Sequence, residues 1–173
     1  SDVCSSDLRA IGGIPLDEIG ATGLGLTAAI EVAQEHAGFS LKKARVAVQG
    51  FGAVGRHAAR FLAERGAVVV AASDSRGTLA DPDGLDLAEL LRVKAQGGHL
   101  HDCTRGRKLG IDAVIDIECE IWIPAARPDV IRADNVARLK TRVVAQGANI
   151  PFSPEAETYL HERQVLVLPD FIA

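Results

Sequence analysis

No methionine occurs anywhere in the 173 residues, not even at position 1, so the expectation is a domain excised from something longer. Cysteine is scarce as well: Cys4, Cys103 and Cys119 are odd in number and show no CxxC spacing. That argues against a disulfide framework and for reduced thiols in a cytoplasmic protein. No apolar run reaches the roughly 20 residues of a membrane span, and no signal peptide is visible. The formal charge is −4 and the arginines are scattered rather than striped. Neither nucleic acid nor an anionic membrane is therefore an expected partner. Repeats and low-complexity segments are missing too. What remains has the length for one domain with a full core, and its 47% apolar content is ordinary for a globular chain.

One stretch organises the rest. Arg45-Val46-Ala47-Val48-Gln49 reads as a buried parallel strand. It empties into Gly50-Phe51-Gly52-Ala53-Val54-Gly55, and an amphipathic helix follows at once. Gly50 permits the tight turn, Gly52 lets a pyrophosphate approach the backbone, and Gly55 lets helix and strand pack closely. Phosphates would then meet free N–H groups at the positive end of the helix. An acid, Asp74, lies about 20 residues on, as a dinucleotide site requires.

Residues 1–11 form an irregular leader, foreign in character, and Gly12-Gly13-Ile14-Pro15 reads as a loop. From Thr22, read as an N-cap, Leu26, Ala29, Ile30, Ala33 and Ala37 share one helical face, and Gly38 is the stop. The helix after the glycine turn runs from about Ala53 to Arg65, with Val54, Ala58, Phe61 and Leu62 towards the sheet. A second strand, Ala67 to Ala72, ends at Ser73-Asp74-Ser75. Residues 76–85 are turn-rich, Asp86 opens a helix to about Gln96, and 99–117 carry no legible pattern. Strands follow at Cys119–Ile123, Arg142–Ala145 and Val165–Leu168, with a short helix around Asp134–Leu139. Ser153-Pro154-Glu155 is a cap, a proline at the first helical position and an acid in the first turn. Strands alternating with helices predict an α/β fold, a doubly wound parallel sheet of Rossmann-like type.

In such a sheet ligands bind beyond the carboxyl ends of the strands. The candidates are therefore Gly50–Gly55, Asp74 and Ser75, Ala125 and Ala126, Gly147 and Asn149, and Asp170. Asp74 can accept from adenine-ribose hydroxyls and would repel a 2′-phosphate, favouring NAD over NADP; Arg76 reduces that margin. Capping the following turn is its alternative role. Sequence alone favours Thr22 as a cap and nothing more, whereas Asn149 could bond a ribose or carboxamide and is nearly as well read as a turn residue. His99-x-His101-x-Cys103 resembles a metal set, but it follows Gly97-Gly98 and lacks a matching fourth ligand, so no metal is expected. Trp122 reads as core, and no Ser–His–Asp arrangement can be argued.

Taken together, these segments resemble the glutamate/leucine/phenylalanine/valine dehydrogenase family, its glutamate dehydrogenases in particular. The resemblance rests on Gly20-Ala21-Thr22-Gly23-Leu24-Gly25, Gln49 to Gly55, Ser73-Asp74-Ser75-Arg76-Gly77 and Ile123-Pro124-Ala125-Ala126. It continues through Gln146-Gly147-Ala148-Asn149-Ile150-Pro151, Pro154-Glu155-Ala156 and Pro169-Asp170, so it covers residues 12–173. It implies an NAD(P)-binding domain of an enzyme that deaminates an L-amino acid, glutamate by this reading, to a 2-oxo acid and ammonia. It also implies a homo-oligomer, hexameric in the family. Thr22 would hold the nicotinamide carboxamide, Asp74 the adenine ribose, Ala125 and Ala126 the adenosine side, and Asn149 the nicotinamide ribose.

Three departures stand out. The family's lysine-bearing Gly-Gly-x-Lys-Gly-Gly segment has no counterpart, the chain stops where the family continues with Asn-Ala-Gly-Gly, and Gln164 replaces a usual glycine. The resemblance thus implies cofactor binding without catalytic residues, the substrate domain being absent. Gln164 is predicted to end the last helix in a left-handed conformation. The remaining alternatives are another Rossmann oxidoreductase, a methyltransferase using S-adenosylmethionine, and a non-catalytic nucleotide-binding or regulatory module. The third glycine, Gly55, argues against the methyltransferase.

Overall fold

Apolar residues fall at helical spacing before Gly38 and in a continuous run after Ala44. The computed structural model turns the first into a helix and the second into a central strand; it describes residues 20–169 apart from 127, 129 and 150. Helix α1 spans Ala21–His36, strand β1 Arg45–Gln49 and helix α2 Ala53–Glu64. Strands β2 (Val68–Asp74) and β3 (Gly77–Ala80) come next, then helix α3 (Leu87–Ala95). Short strands β4 (Arg107–Leu109), β5 (Ile121–Pro124) and β6 (Val143–Ala145) follow, and helix α4 (Pro154–Glu162) leads into β7 (Leu166–Leu168).

Among the described residues these strands form one seven-stranded sheet in the order β4-β3-β2-β1-β5-β6-β7. Strand β1 pairs in parallel with β2 on one side and β5 on the other, and β5, β6 and β7 continue in parallel. The chain direction across the sheet reverses at β1, which opens a crevice beyond the carboxyl ends of β1 and β5. The sheet is not parallel throughout. Within residues 76–85, expected to be turn-rich, Gly77–Ala80 forms β3, antiparallel to β2, with β4 antiparallel beyond it. A tight turn at Ser75-Arg76 leaves no room for a crossover helix, so the next strand must run back.

Both faces of the sheet are covered. Leu26 and Ile30 of α1 pack with Ala58, Ala59 and Leu62 of α2 against Val46, Val48 and Ile123. On the other face Trp122, Val144 and Ala47 lie beneath Val114, Ile115, Ala156 and Leu160. The indole of Trp122 is wholly buried and its Nε1–H donates to the Val114 carbonyl (3.2 Å), so this residue is core as expected. Removing Leu62, which is fully buried, to Ala would cost about 2–5 kcal/mol. Val54 and Phe61 are only half-buried; Gly55 and Ala59 take the close-packed positions instead.

Local signals account for most boundaries. Asp86 caps α3 by accepting from the Glu89 amide (3.1 Å), and Ser153 caps α4 from the Ala156 amide. Gly38 stops α1 at φ +67. Gln164 follows α4 at φ +58, the left-handed conformation expected of it. Thr22 is not the cap of α1: Gly20, at φ +78, takes that position, and Thr22 lies inside the first turn. The short helix expected at Asp134–Leu139 is a single 3₁₀ turn, Val136–Arg138. The strand expected from Cys119 begins two residues later. The leader, the Gly12–Pro15 loop, Cys4, Ile150 and Asp170 lie outside the described residues. Among the described residues, no helix is long and apolar enough to cross a membrane.

Candidate functional site

The reversal at β1 brings two loops together. Gly50 leaves the strand at φ +93, and a Cβ on it would meet the Ala126 backbone at 2.7 Å. Its amide and that of Phe51 both donate to the Ser73 carbonyl (3.1 and 2.8 Å), while the Ala125 amide donates to the Gln49 carbonyl (2.7 Å). The turn is thereby fixed to β2 on one side and to β5 on the other. Gly55 has a packing reason to be glycine, since a Cβ there would collide with the Gly50 carbonyl oxygen.

Gly52 differs from both. It caps α2 with no side-chain partner, its φ is −86, and a Cβ on it would meet nothing within 4 Å. No fold constraint demands glycine at this position. Without a side chain the backbone is open to close approach from that side. Arg56 is the first α2 residue to donate to the Gly52 carbonyl (3.0 Å), leaving the amides of the opening turn directed outwards.

A cleft of about 490 Å³ opens beside this turn. Its lining gathers Gly50, Phe51, Gly52, Asp74, Ser75, Ala125 and Ala126 from the predicted residues. Phe51 contributes backbone only, because its ring is buried in the core. Gln49 also faces the cleft, and its Oε1 is buried without a hydrogen-bond partner. A buried orphan acceptor beside an open glycine turn fits a polar ligand that carries donors. Ala53, Val54 and Gly55 stand behind the turn rather than in the cleft wall. Gly147 packs near Val54 and Ala125, and its amide donates to the Pro124 carbonyl (2.9 Å). Thr22 and Asn149 do not reach this cleft; Thr22 is half-buried on α1 and Asn149 exposed after β6.

Asp74 ends β2 with its side chain only 7% exposed. Its Oδ2 accepts from the Leu100 amide (2.9 Å) and from Lys94 Nζ (3.2 Å), and Oδ1 from the Arg76 amide (2.9 Å). His99 Nδ1 stands 3.5 Å from Oδ2. Burial alone would raise this carboxyl, but the Arg76 and Leu100 amides and Lys94 outweigh it and hold it below the usual aspartate range. It is a charged acceptor already engaged by the protein on both oxygens.

Ser73, Lys94, Ile111 and Asp112 complete the lining, and local sequence pattern singled out none of the last three. The predicted metal-like trio does not converge. His101 Nε2 donates to the Thr78 carbonyl (3.1 Å), Cys103 is buried, and His99 turns to Asp74. Among the described residues, no group of three or more His, Cys, Asp or Glu is arranged to hold a metal ion. Cys119 is free and buried, and burial pushes its thiol up to about 12, leaving little thiolate at neutral pH.

The reversing α/β sheet, its glycine turn and the acid at the end of β2 define a Rossmann-like α/β domain. The glutamate/leucine/phenylalanine/valine dehydrogenase family model matches residues 12–173, and the chain belongs to that family. The glutamate dehydrogenase of Aeropyrum pernix is 42% identical over 153 residues, which cover 88% of this chain and 37% of that protein. The NADP-specific glutamate dehydrogenase of Saccharolobus shibatae is 35% identical over 164 residues, 94% of this chain and 38% of that one. The crystal structure of the hetero-hexameric glutamate dehydrogenase from Thermus thermophilus, in its Leu-bound form, superposes with a TM-score of 0.81 at 35% identity. It matches 94% of this chain and 38% of its own. The chain therefore spans well under half the length of these relatives.

Proposed function

We propose that residues 12–173 are the NAD(P)-binding domain of a glutamate dehydrogenase-like enzyme whose substrate domain is not among them. The observation that carries this reading is the open space over Gly52, where a side chain would fill the approach to outward-facing helix amides. The pyrophosphate would rest on Gly50–Gly55, with the Ala53, Val54 and Gly55 amides at the positive end of α2. The adenosine half would lie between Asp74 and Ser75 on one side and Ala125 and Ala126 on the other. Thr22, Gly147 and Asn149 are left for the nicotinamide half.

When bound, the nicotinamide accepts hydride from the amino-bearing carbon of an L-amino acid. The chain's own part is to bind and orient that cofactor. Lys94 is the cleft's only lysine among the described residues, and it is committed to Asp74. In the full enzyme the substrate domain and neighbouring subunits of a homo-oligomer, hexameric in the family, would complete the site. The reaction would be glutamate deamination in the cytoplasm. The cofactor is NAD, with NADP as the alternative; a relative from Saccharolobus shibatae is NADP-specific and one from Staphylococcus aureus NAD-specific.

Calorimetric titration of the chain with NAD and ADP-ribose, beside a glutamate-dependent NADH absorbance assay, tests the reading. ADP-ribose should bind almost as tightly as NAD, and no turnover should occur. A large preference for NAD, or measurable turnover, would mean that the chain holds more of the active site than the cleft accounts for. Failure to bind either ligand would overturn the assignment.

A further inference from the structure

A second cavity, of about 220 Å³, lies at the opposite end of the sheet from the glycine turn. Arg45 opens β1, while Ala80 closes β3 and pairs with Arg107 at the start of β4. Asp116, Ile117 and Glu118 lead from the 3₁₀ helix Ile111–Asp116 towards β5. All of these meet where the parallel strands begin, and the cavity shares no lining residue with the cleft.

Its floor and walls are apolar. Val70 and Ala80 are buried strand residues, and Pro82 and Ile117 stand beside them. Water held against such walls has few hydrogen-bond partners, so an apolar group gains by displacing it. The space falls below the roughly 300–1,000 Å³ of sites for larger ligands and suits a single ring or a short branched chain.

Four charged side chains form the rim, and three of them are committed to partners. Arg138 grips Asp116 with two donors, Nε to Oδ1 at 2.8 Å and Nη2 to Oδ2 at 2.7 Å. Arg45 lies between Glu118 and Glu120, its Nη2 donating to them at 3.4 and 3.3 Å. Arg107 takes part in no side-chain hydrogen bond or ion pair among the described residues. Its guanidinium is the one unengaged charge on the rim, and its planar fork of donors matches a carboxylate.

We propose that this cavity binds a small monocarboxylate with an apolar body, the body against Val70, Ala80 and Ile117 and the carboxylate on Arg107. The site is independent of the dinucleotide cleft and of the cofactor-domain reading.

The test titrates the isotopically labelled 173-residue chain with phenylacetate, 2-phenylethanol and 2-phenylethylamine and follows the amide NMR shifts. The three probes share one ring and differ in charge. Phenylacetate should bind about tenfold more tightly than the other two, the worth of a hydrogen bond to a charged group. It should move the amides of Val70, Ala80 and Ile117. Arg107→Gln should abolish the preference and leave 2-phenylethanol binding unchanged, whereas Arg107→Lys, which keeps the charge, should retain part of it. Arg107 is exposed on the edge strand β4, and unchanged shifts elsewhere show that the variants keep the fold. Equal affinity for the three probes, a stronger response to 2-phenylethylamine, or a preference that survives Arg107→Gln would overturn the inference. So would shifts confined to Gly52 and Asp74 in the cleft, or no response to phenylacetate at millimolar concentrations.

Discussion

Lys94 Nζ stands 3.2 Å from Asp74 Oδ2 in the wall of the cleft, with the two side chains 20% and 7% exposed. The acid that would repel a 2′-phosphate therefore has its charge offset by a neighbouring cation. Lys94→Ala should leave Asp74 uncompensated and increase the preference for NAD over NADP by about fivefold, the worth of one partly screened pair. Asp74→Ser should shift the ratio the other way, towards NADP. Titration of both cofactors into each variant checks this, and an unmoved ratio in Lys94→Ala would place the 2′ position elsewhere.

The His57 ring sits against the start of α1, where a Cβ on Gly20 would meet it at 2.5 Å, and it stacks on Phe61. Burial first, then Arg60 and Arg56, hold its pKa below the ordinary imidazole value. The unfolded chain therefore binds the extra proton more readily. The stability contribution is fully present above the unfolded pKa of about 6.5 and is lost as pH falls through the lowered folded value. His57→Phe should flatten the decline in melting temperature between about pH 7 and 5. An equally steep decline in the variant would assign it to other groups.

The carboxylates act in a lower window. Burial works to raise Glu120, but the Arg45 amide and guanidinium hold it below its usual value, as their counterparts do Asp74. Each contributes stability above its unfolded pKa, about 4, that is lost as pH falls through the lower folded value. Glu120→Gln should reduce the acid sensitivity below about pH 4.5 while lowering stability at pH 7. Guanidinium unfolding at both pH values reads the two effects separately.

Gln164 holds φ +58 without being glycine, which costs about 1 kcal/mol. Gln164→Gly should raise the melting temperature by about 2–4 °C in a chain of this size. A lower value would mean that the side chain contributes contacts worth more than the strain.

The parts of the fold legible in sequence were those specified by neighbouring residues. The β1 run, the glycine turn and α2 are contiguous, and so are Ser153 and Pro154 at the start of α4. Strand β3 was hidden because Gly77 to Ala80 lies between turn signals and is buried throughout, so no alternation marks it. Its partner β4 is a short polar edge that pairing, not pattern, makes a strand. The strand-end rule located the half of the cleft made by Gly50, Asp74 and Ala125. Lys94, Ile111 and Asp112 reach it from α3 and a 3₁₀ turn packed across the sheet, a tertiary arrangement that leaves no local trace. Thr22 misled because its residue type suits a cap, whereas the left-handed entry at Gly20 determines where α1 begins.

Gly52 bears most directly on the account, because the fold alone gives no reason for glycine there. A Cβ at Gly52 meets nothing within 4 Å, whereas one at Gly55 would strike the Gly50 carbonyl. Gly52→Val should therefore keep the circular dichroism and melting temperature of wild type and abolish NAD binding, read by calorimetric titration. Gly55→Val, its control, should lose stability as well as binding. NAD binding that survives Gly52→Val at similar affinity would contradict the account and move the cofactor away from this turn.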